Sequence, residues 1–428
     1  NKYYKDLKNT SVDQLYGNEN LLVIKFDKAG NKKWTTNLKI ESEDLWKDYP
    51  QYVKINSTAF DKSNGSIYLA GNKKWELTNS QIGFIVKLDS SGKFQWKKDI
   101  SSYSEGIAGW EPYESEATYT TENWIGVEQV SSIVVDNDGY VYITGTTDKD
   151  LNGKILLGGA TDAYVMKLDP GGKEIWTKLI ETSGPYLSKN KEEFGNLLAI
   201  CPKGNLYFAG HQFDPIDGNE SSQNNIPFIV KLNKEDGEQK WIKNLYYDPD
   251  WFFEDYVTSM GFSYDGSIYI NAVGYDDNFI DGGMPDTSTL FKINPSGKLD
   301  WHKQLDKDNL GIDKLSQIYA QSISVKNNGD IYISGNLSGF YGDPIDKKFL
   351  VEKKKDIFIT KLFDPFAIEF KTFDPSTLDD INDLKFSEFK PKHYKNLNWK
   401  LVNFNDLNTD SLEGINWTKV NFKKATKA

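Results

Sequence analysis

Three histidines, His211, His302 and His393, one cysteine, Cys201, and 62 Asp and Glu residues are the groups from which this 428-residue chain could draw acid–base, nucleophilic or metal chemistry. A single cysteine excludes an intrachain disulfide and a Cys-based zinc or iron site. The histidines are far apart and none sits at a metal-ligand spacing, so none reads as a catalytic or ligating group. His211 follows Gly210 and reads most simply as a turn residue. The stretch "DNDG" at 136–139 has the opening of a calcium loop, but its twelfth position is Thr147 instead of glutamate, so an Asx-type hairpin turn is the better reading. With so many carboxylates, coincidental pairs are unavoidable, and a paired-carboxylate glycosidase site stays open as an alternative. The expectation is therefore no catalytic residue, no metal ligand and no cofactor. Calcium is the one ion that the Asp-rich loops would suit outside a cell, and the sequence names no ligands for it.

Charge narrows the partners. All 51 basic residues are lysine, and the net charge is −11. Without arginine there is no planar fork to grip phosphate or guanine edges, and the overall acidity repels polyanions. Nucleic acid and anionic membranes are poor partners for such a chain. No apolar run reaches the roughly 18 residues that a membrane-spanning helix needs. The chain opens on Asn1, which reads as a processed product or a fragment.

Aromatic residues make the strongest binding candidates. One long segment, 101–130, carries Trp110, Tyr113, Tyr119 and Trp124, and a second, "YYDPDWFFEDY" at 246–256, carries Trp251 and Phe252. Aromatic faces stack on sugars and anchor protein interfaces, so these segments read as platforms for a glycan or a protein partner. Folding back over neighbouring structure is the plainer alternative. A third set, Trp399, Phe404, Trp417 and Phe422, lies in "LNWKLVNFND" (397–406) and "INWTKVNFKK" (415–424), whose cadence vaguely resembles pentapeptide-repeat coils. A row of exposed aromatics there would associate with another molecule, or the tail packs on its own chain.

The elements that must position these groups come from a repeat. "LLVIKFDKAGNKKW" (21–34), "FIVKLDSSGKFQW" (84–96), "AYVMKLDPGGKEIW" (163–176), "FIVKLNKEDGEQKW" (228–241), "TLFKINPSGKLDW" (289–301) and a degenerate "IFITKLFDPFAIEF" (357–370) are six copies of one phrase. Their lysines, Lys25, Lys87, Lys167, Lys231, Lys292 and Lys361, are 62, 80, 64, 61 and 69 residues apart. Five copies of a second phrase, such as "DGYVYITG" at 138–145 and "NGSIYLAG" at 64–71, lie between them. Asp or Asn opening the turn and Gly at its positive-φ position specify hairpins, and apolar residues on both faces suit strands covered on both sides. Four short strands every 60-odd residues is the period of a propeller blade or of an array of small sheets. The fold class expected is all-β, a β-propeller of about six four-stranded blades over 1–373, with a small tail module over 374–428 that opens on a short helix, "STLDDINDL".

These phrases resemble the bacterial β-propeller repeat SBBP, with the closest match in "SSIVVDNDGYVYITGTT" (131–147) and residues 161–180, and cover about 20–370. The resemblance implies a secreted or cell-surface bacterial protein and no particular enzymatic activity. Six outer hairpins against five inner pairs leave one blade without its inner half, to be completed by "NKYYKDLKNTSVDQLYGN" or by another chain. The aligned lysines read either as a cationic collar or, more simply, as stems with heads paired to blade carboxylates. The expected function is non-catalytic: binding or assembly through glycan, partner protein or self-association, with homo-oligomers or larger assemblies through the tail. The alternative is an extracellular propeller enzyme acting on polysaccharide, or a quinoprotein-like dehydrogenase. The "LDxxGxxxW" phrase also resembles the tryptophan repeats of quinoproteins, but their adjacent-cysteine disulfide and active-site arginine have no counterpart here.

Overall fold

The computed structural model describes residues 20–40, 51–75, 81–100, 129–148, 151, 161–182, 192–215, 223–245, 256–274, 287–305, 316–326, 328–341 and 351–368. All regular structure among them is strand. The chain falls into two units, Asn1–Ile200 with Gly204–Tyr246, and Cys201–Lys203 with Tyr247–Ala428.

In the first unit a two-stranded sheet, β1 (Asn20–Phe26) and β2 (Lys32–Lys39), precedes three sheets of four antiparallel strands in chain order. These are β3 (Gln51–Phe60), β4 (Ile67–Trp75), β5 (Gln81–Leu88) and β6 (Phe94–Ile100); then β7 (Gln129–Val135), β8 (Val141–Thr147), β9 (Asp162–Leu168) and β10 (Glu174–Leu179); then β11 (Glu192–Ile200), β12 (Leu206–Pro215), β13 (Gln223–Leu232) and β14 (Gln239–Asn244). The second unit holds a four-stranded sheet, β15 (Tyr256–Phe262), β16 (Ile268–Gly274), β17 (Thr287–Ile293) and β18 (Leu299–Leu305), and a three-stranded one, β19 (Ser316–Val325), β20 (Asn328–Tyr341) and β21 (Val351–Ile368).

Six sheets are present, as the six hairpin phrases require, but only four of them have four strands among the described residues. Among the described residues the sheet without an inner pair is the first, where the repeat count left a blade incomplete. The sixth phrase does not turn at "FDPF". Without the glycine and with Asn328 opposite Ile368, β21 runs on as a single long strand.

The hairpin turns follow from their residues. In "DPGG" the Asp169 carboxylate accepts the amides of Gly171 and Lys173 at 2.9 Å each, the Gly172 amide donates to the Asp169 carbonyl at 3.0 Å, and Gly172 holds φ +89°. An αL glycine at this place adds one residue to the second strand, and the ladder slips between Glu174 and Trp176. A second irregularity recurs at the inner strand of every sheet that has one, where Asn56, Ser131, Asn196, Thr258 and Gln321 are the extra residues of a bulge.

The cores lie between successive sheets. Tyr68, Ala70, Ile85 and Ile100 of the second sheet pack on Val130, Ile143 and Met166 of the third, whose opposite face, with Tyr142 and Val165, packs on Leu206, Phe208 and Val230 of the fourth. Strands β8 and β9 are buried along their whole length, because each of their faces meets a neighbour, and β16 is buried throughout as well. The inner bulges join the sheets as well: the Ile133 amide donates to Ser57 Oγ at 3.2 Å and the Leu198 amide to Ser132 Oγ at 3.1 Å. These two bulges thus each leave a backbone N–H that the preceding sheet satisfies.

Candidate functional site

The chemistry-bearing residues of the repeat gather at the turn end of each sheet. In the first three sheets of the first unit the repeat lysine and the repeat tryptophan donate to one carbonyl in the turn of the following sheet. Lys87 Nζ and Trp96 Nε1 reach the Pro170 carbonyl at 2.8 and 3.3 Å, Lys167 and Trp176 reach that of Lys234 at 2.9 and 3.3 Å, and Lys25 and Trp34 reach that of Ser90, both at 3.3 Å. The turn glycine then lies flat on the indole, so a Cβ at Gly172 would come within 3.1 Å of the Trp96 ring and one at Gly237 within 2.8 Å of Trp176. Only a glycine fits there.

The tyrosine of the second phrase completes the cluster. Tyr68 meets the Trp96 edge at 6.0 Å between ring centres, Tyr207 meets Trp241 at 5.9 Å, and Tyr269 meets Trp301 at 6.1 Å. The lysine heads stand over the same tyrosine rings, Lys87 over Tyr68 at 5.2 Å, Lys167 over Tyr142 at 5.5 Å and Lys292 over Tyr269 at 5.7 Å. These lysines form no collar, and the carboxylate pairing that was the simpler expectation holds only in part. Their heads are spent on backbone carbonyls and aromatic faces more than on carboxylates, with Lys361 and Asp330, 3.0 Å apart, the clearest carboxylate pair among them. Sequence reasoning missed the tyrosine, whose fixed place in the "IYxxG" phrase was the signal available.

Asp136, the first residue of "DNDG", is an Asx turn as expected, accepting the amides of Asp138 at 3.1 Å and Tyr140 at 3.0 Å. It also accepts from the Tyr142 hydroxyl at 3.1 Å and pairs with Lys234 of the following sheet at 3.0 Å. Burial, and then the Asp136 charge, raise the Tyr142 hydroxyl far above the usual tyrosine range, and burial with Asp61 lifts Tyr68 to about 12. Both phenols stay protonated at any physiological pH. No group of three or more His, Cys, Asp or Glu residues is placed to hold a metal ion among the described residues.

At the other end of the first unit's sheets the buried polar groups differ from sheet to sheet. Fully buried Lys73 pairs with Asp99 at 3.0 Å, and Thr182 donates to the buried Glu193 carboxylate at 2.6 Å. Beside Glu193 on the ladder, Gln212 is fully buried with neither amide atom hydrogen-bonded. Polar atoms in that position are usually served by ordered water. His211 is not the turn residue its sequence context suggested. It lies inside β12, stacks on Phe194 at 4.8 Å with planes 9° apart, and its Nδ1 lies 2.8 Å from Asn196 Oδ1, while burial lowers its pKa to about 4. His302 is exposed on β18, tilted against Phe291.

The connections sort by end. On the turn side of the first unit the strands are joined by five or six residues, as from Phe26 to Lys32, Leu88 to Phe94 and Leu168 to Glu174. On the opposite side the gaps vary, from Trp75 to Gln81 and from Leu179 to Glu192 up to the longest, from Ile100 to Gln129. Trp110, Tyr113, Tyr119 and Trp124 fall in that longest gap, Trp251 and Phe252 in the one after Leu245, and Trp399, Phe404, Trp417 and Phe422 beyond Ile368. All ten lie outside the described residues, as do His393 and the proposed tail module.

The sequence pattern of the β-propeller repeat SBBP matches residues 118–152, which contain the β7–β8 hairpin. No curated protein matches the chain. Among solved structures, a protein of unknown function from Dyadobacter fermentans is similar at 12% identity with a TM-score of 0.40, covering 68% of this chain and 76% of that one. A NanB sialidase mutant from Streptococcus pneumoniae is similar at 11% identity and 0.40, covering 74% and 62%, and an endo-arabinase from Bacteroides thetaiotaomicron at 12% and 0.31, covering 74% and 94%. Likeness at this level says nothing of activity. The chain thus carries the β-propeller repeat SBBP at 118–152, and the hairpin geometry of the matched segment recurs in its other sheets.

Proposed function

We propose that this chain is a non-catalytic binding or assembly protein of the bacterial cell exterior, which holds a glycan or a protein partner on the variable connections at one end of its sheets. The observation that carries the reading is the contrast between the two ends of the first unit. Turns at one end are uniform in length and their side chains are consumed in joining sheets, whereas connections at the other end differ in length. A scaffold that fixes one end and varies the other is built to present loops. The longest of these connections carries Trp110, Tyr113, Tyr119 and Trp124, side chains with the flat apolar faces that sugars and interfaces use. The extracellular placement rests on the SBBP resemblance and on an arginine-free, acidic chain poorly suited to nucleic acid.

A glycan array and a surface-protein pull-down with the full chain test the reading. Retention of a glycan or protein that drops at least tenfold in Trp110→Ala and Trp124→Ala, with unchanged melting temperature, is the expected result. Turnover of a polysaccharide or an oxidisable substrate by the purified chain, or binding indifferent to every aromatic substitution, would overturn it.

A further inference from the structure

We propose that the layer between the third and fourth sheets, at the end away from the hairpin turns, holds an internal water site walled by Thr161, Glu193 and Gln212. It ties those two sheets there, as Lys167 and Trp176 tie them at the turn end. Gln212 is the first observation. Its side chain is fully buried, and neither Oε1 nor Nε2 has a hydrogen-bond partner among the described residues. The same repeat position, five residues after the repeat tyrosine, is Lys73 in the second sheet, where Asp99 closes the buried head at 3.0 Å. Two open atoms on a buried carboxamide carry the full cost of desolvation, and folded chains supply such groups with a partner.

The second observation is another open atom, on the facing sheet. Thr161 Oγ1 is buried without a partner among the described residues. By strand alternation Thr161 falls on the face of Ala163, which shares a core cluster with Phe208, and Gln212 falls on the face of Phe208 along the unbroken ladder of β12 with β13. Both side chains therefore face the same layer. They are also held close together, because the Glu193 amide donates to the Thr161 carbonyl at 3.0 Å and Glu193 stands directly opposite Gln212. Open polar atoms from two sheets thus surround one carboxylate, whose other known partner is the Thr182 hydroxyl at 2.6 Å.

The identity of the guest follows from what the open atoms require. Gln212 Oε1 needs a donor and Nε2 an acceptor, while Thr161 Oγ1 takes either. A cation would serve the oxygens and leave Nε2 open, and an apolar group would serve none of them. A hydroxyl gives and takes at once. Sugar hydroxyls share that chemistry, but with Gln212 0% and Glu193 5% exposed the site admits only the smallest such molecule. Between Gln212, Thr161 and Glu193 a water finds the roughly three hydrogen bonds that internal water keeps. The site stands whether or not the proposed glycan or partner binds.

Two measurements on the full chain test this. In a high-resolution crystal structure, a water within about 3.2 Å of both the Gln212 carboxamide and Thr161 Oγ1 is expected. Direct donation from Gln212 to Glu193 with no water between the sheets, a cation with oxygen ligands at about 2.4 Å, or a sugar in the site would each overturn the proposal. In solution, oxygen-17 magnetic relaxation dispersion counts the water held for longer than the protein takes to tumble. Gln212→Met and, as the milder change, Thr161→Val should each lower that count by about one molecule relative to the parent. An unchanged count in either variant, once it is shown to be folded, also overturns it.

Discussion

Trp96 and Lys87 share one acceptor, the Pro170 carbonyl, and this makes their contributions interdependent. Removing one donor leaves the carbonyl bonded by the other, so Trp96→Phe and Lys87→Met should each cost about 1 kcal/mol. Removing both strands the carbonyl in a junction between sheets, so the double variant should lose more than the sum, a coupling that a denaturant double-mutant cycle reads directly. Strict additivity would mean the two donors do not share their acceptor in solution. His211 supplies a pH dependence. Burial depresses its pKa from 6.5 to about 4, so between those values the unfolded chain binds a proton that the folded chain refuses. Stability from this group is therefore complete above about pH 6.5 and declines as pH falls toward 4, by about 3 kcal/mol at most. His211→Gln keeps a partner for Asn196 and removes the titration, so its melting temperature should fall less than that of the parent between pH 7 and pH 5. Parallel declines would show that other groups govern acid sensitivity.

Strand pairs were the most legible part of this sequence, because "KLDPGGKEIW" specifies apolar faces, turn and bulge by local chemistry alone. The turn glycine carries two constraints that the sequence alone runs together, a positive φ and an indole lying on it. Gly172 has both, at φ +89° with the Trp96 ring 3.1 Å from its virtual Cβ, while Gly204 has φ +78° and nothing within 4 Å. Gly204→Ala should then cost only the left-handed strain, about 1 kcal/mol, and Gly172→Ala clearly more, read as the difference between their urea midpoints. Equal costs would show that the indole gives way. What the sequence hid were contacts that join one element to the next. Asp136 read correctly as a turn residue, yet nothing local revealed that Lys234, 98 positions on, would pair with it. His211 misread as a turn residue because it follows the blade glycine, and that glycine proved to sit within the strand ladder opposite Gly195, not at its end. The long connections share no phrase with one another, so repetition, the source of every successful inference, was silent about the aromatic residues placed there.

The first three sheets of the first unit are each bound to the next by the same device, an indole and an ammonium reaching across to a turn, with bulge serines adding a second tie between the second and third sheets and between the third and fourth. Coupling of that form is between nearest neighbours, and stability in such arrays is approximately a sum of unit and junction terms. The position of a junction should then decide how far its loss is felt. Trp34 joins only the two-stranded first sheet to the second, so Trp34→Ala should quicken hydrogen exchange in β1 and β2 while β8 and β9, buried on both faces and two junctions away, keep the parent's rates. Trp96 joins the second sheet to the third, and its loss should raise exchange on both sides of that junction, in β4 and β5 as well as in β8 and β9. Native-state exchange followed by mass spectrometry at sub-denaturing urea separates the cases. If Trp34→Ala instead quickened all four sheets together, the unit would open as one cooperative body, and the repeated junction would be a feature of packing without being the unit of stability.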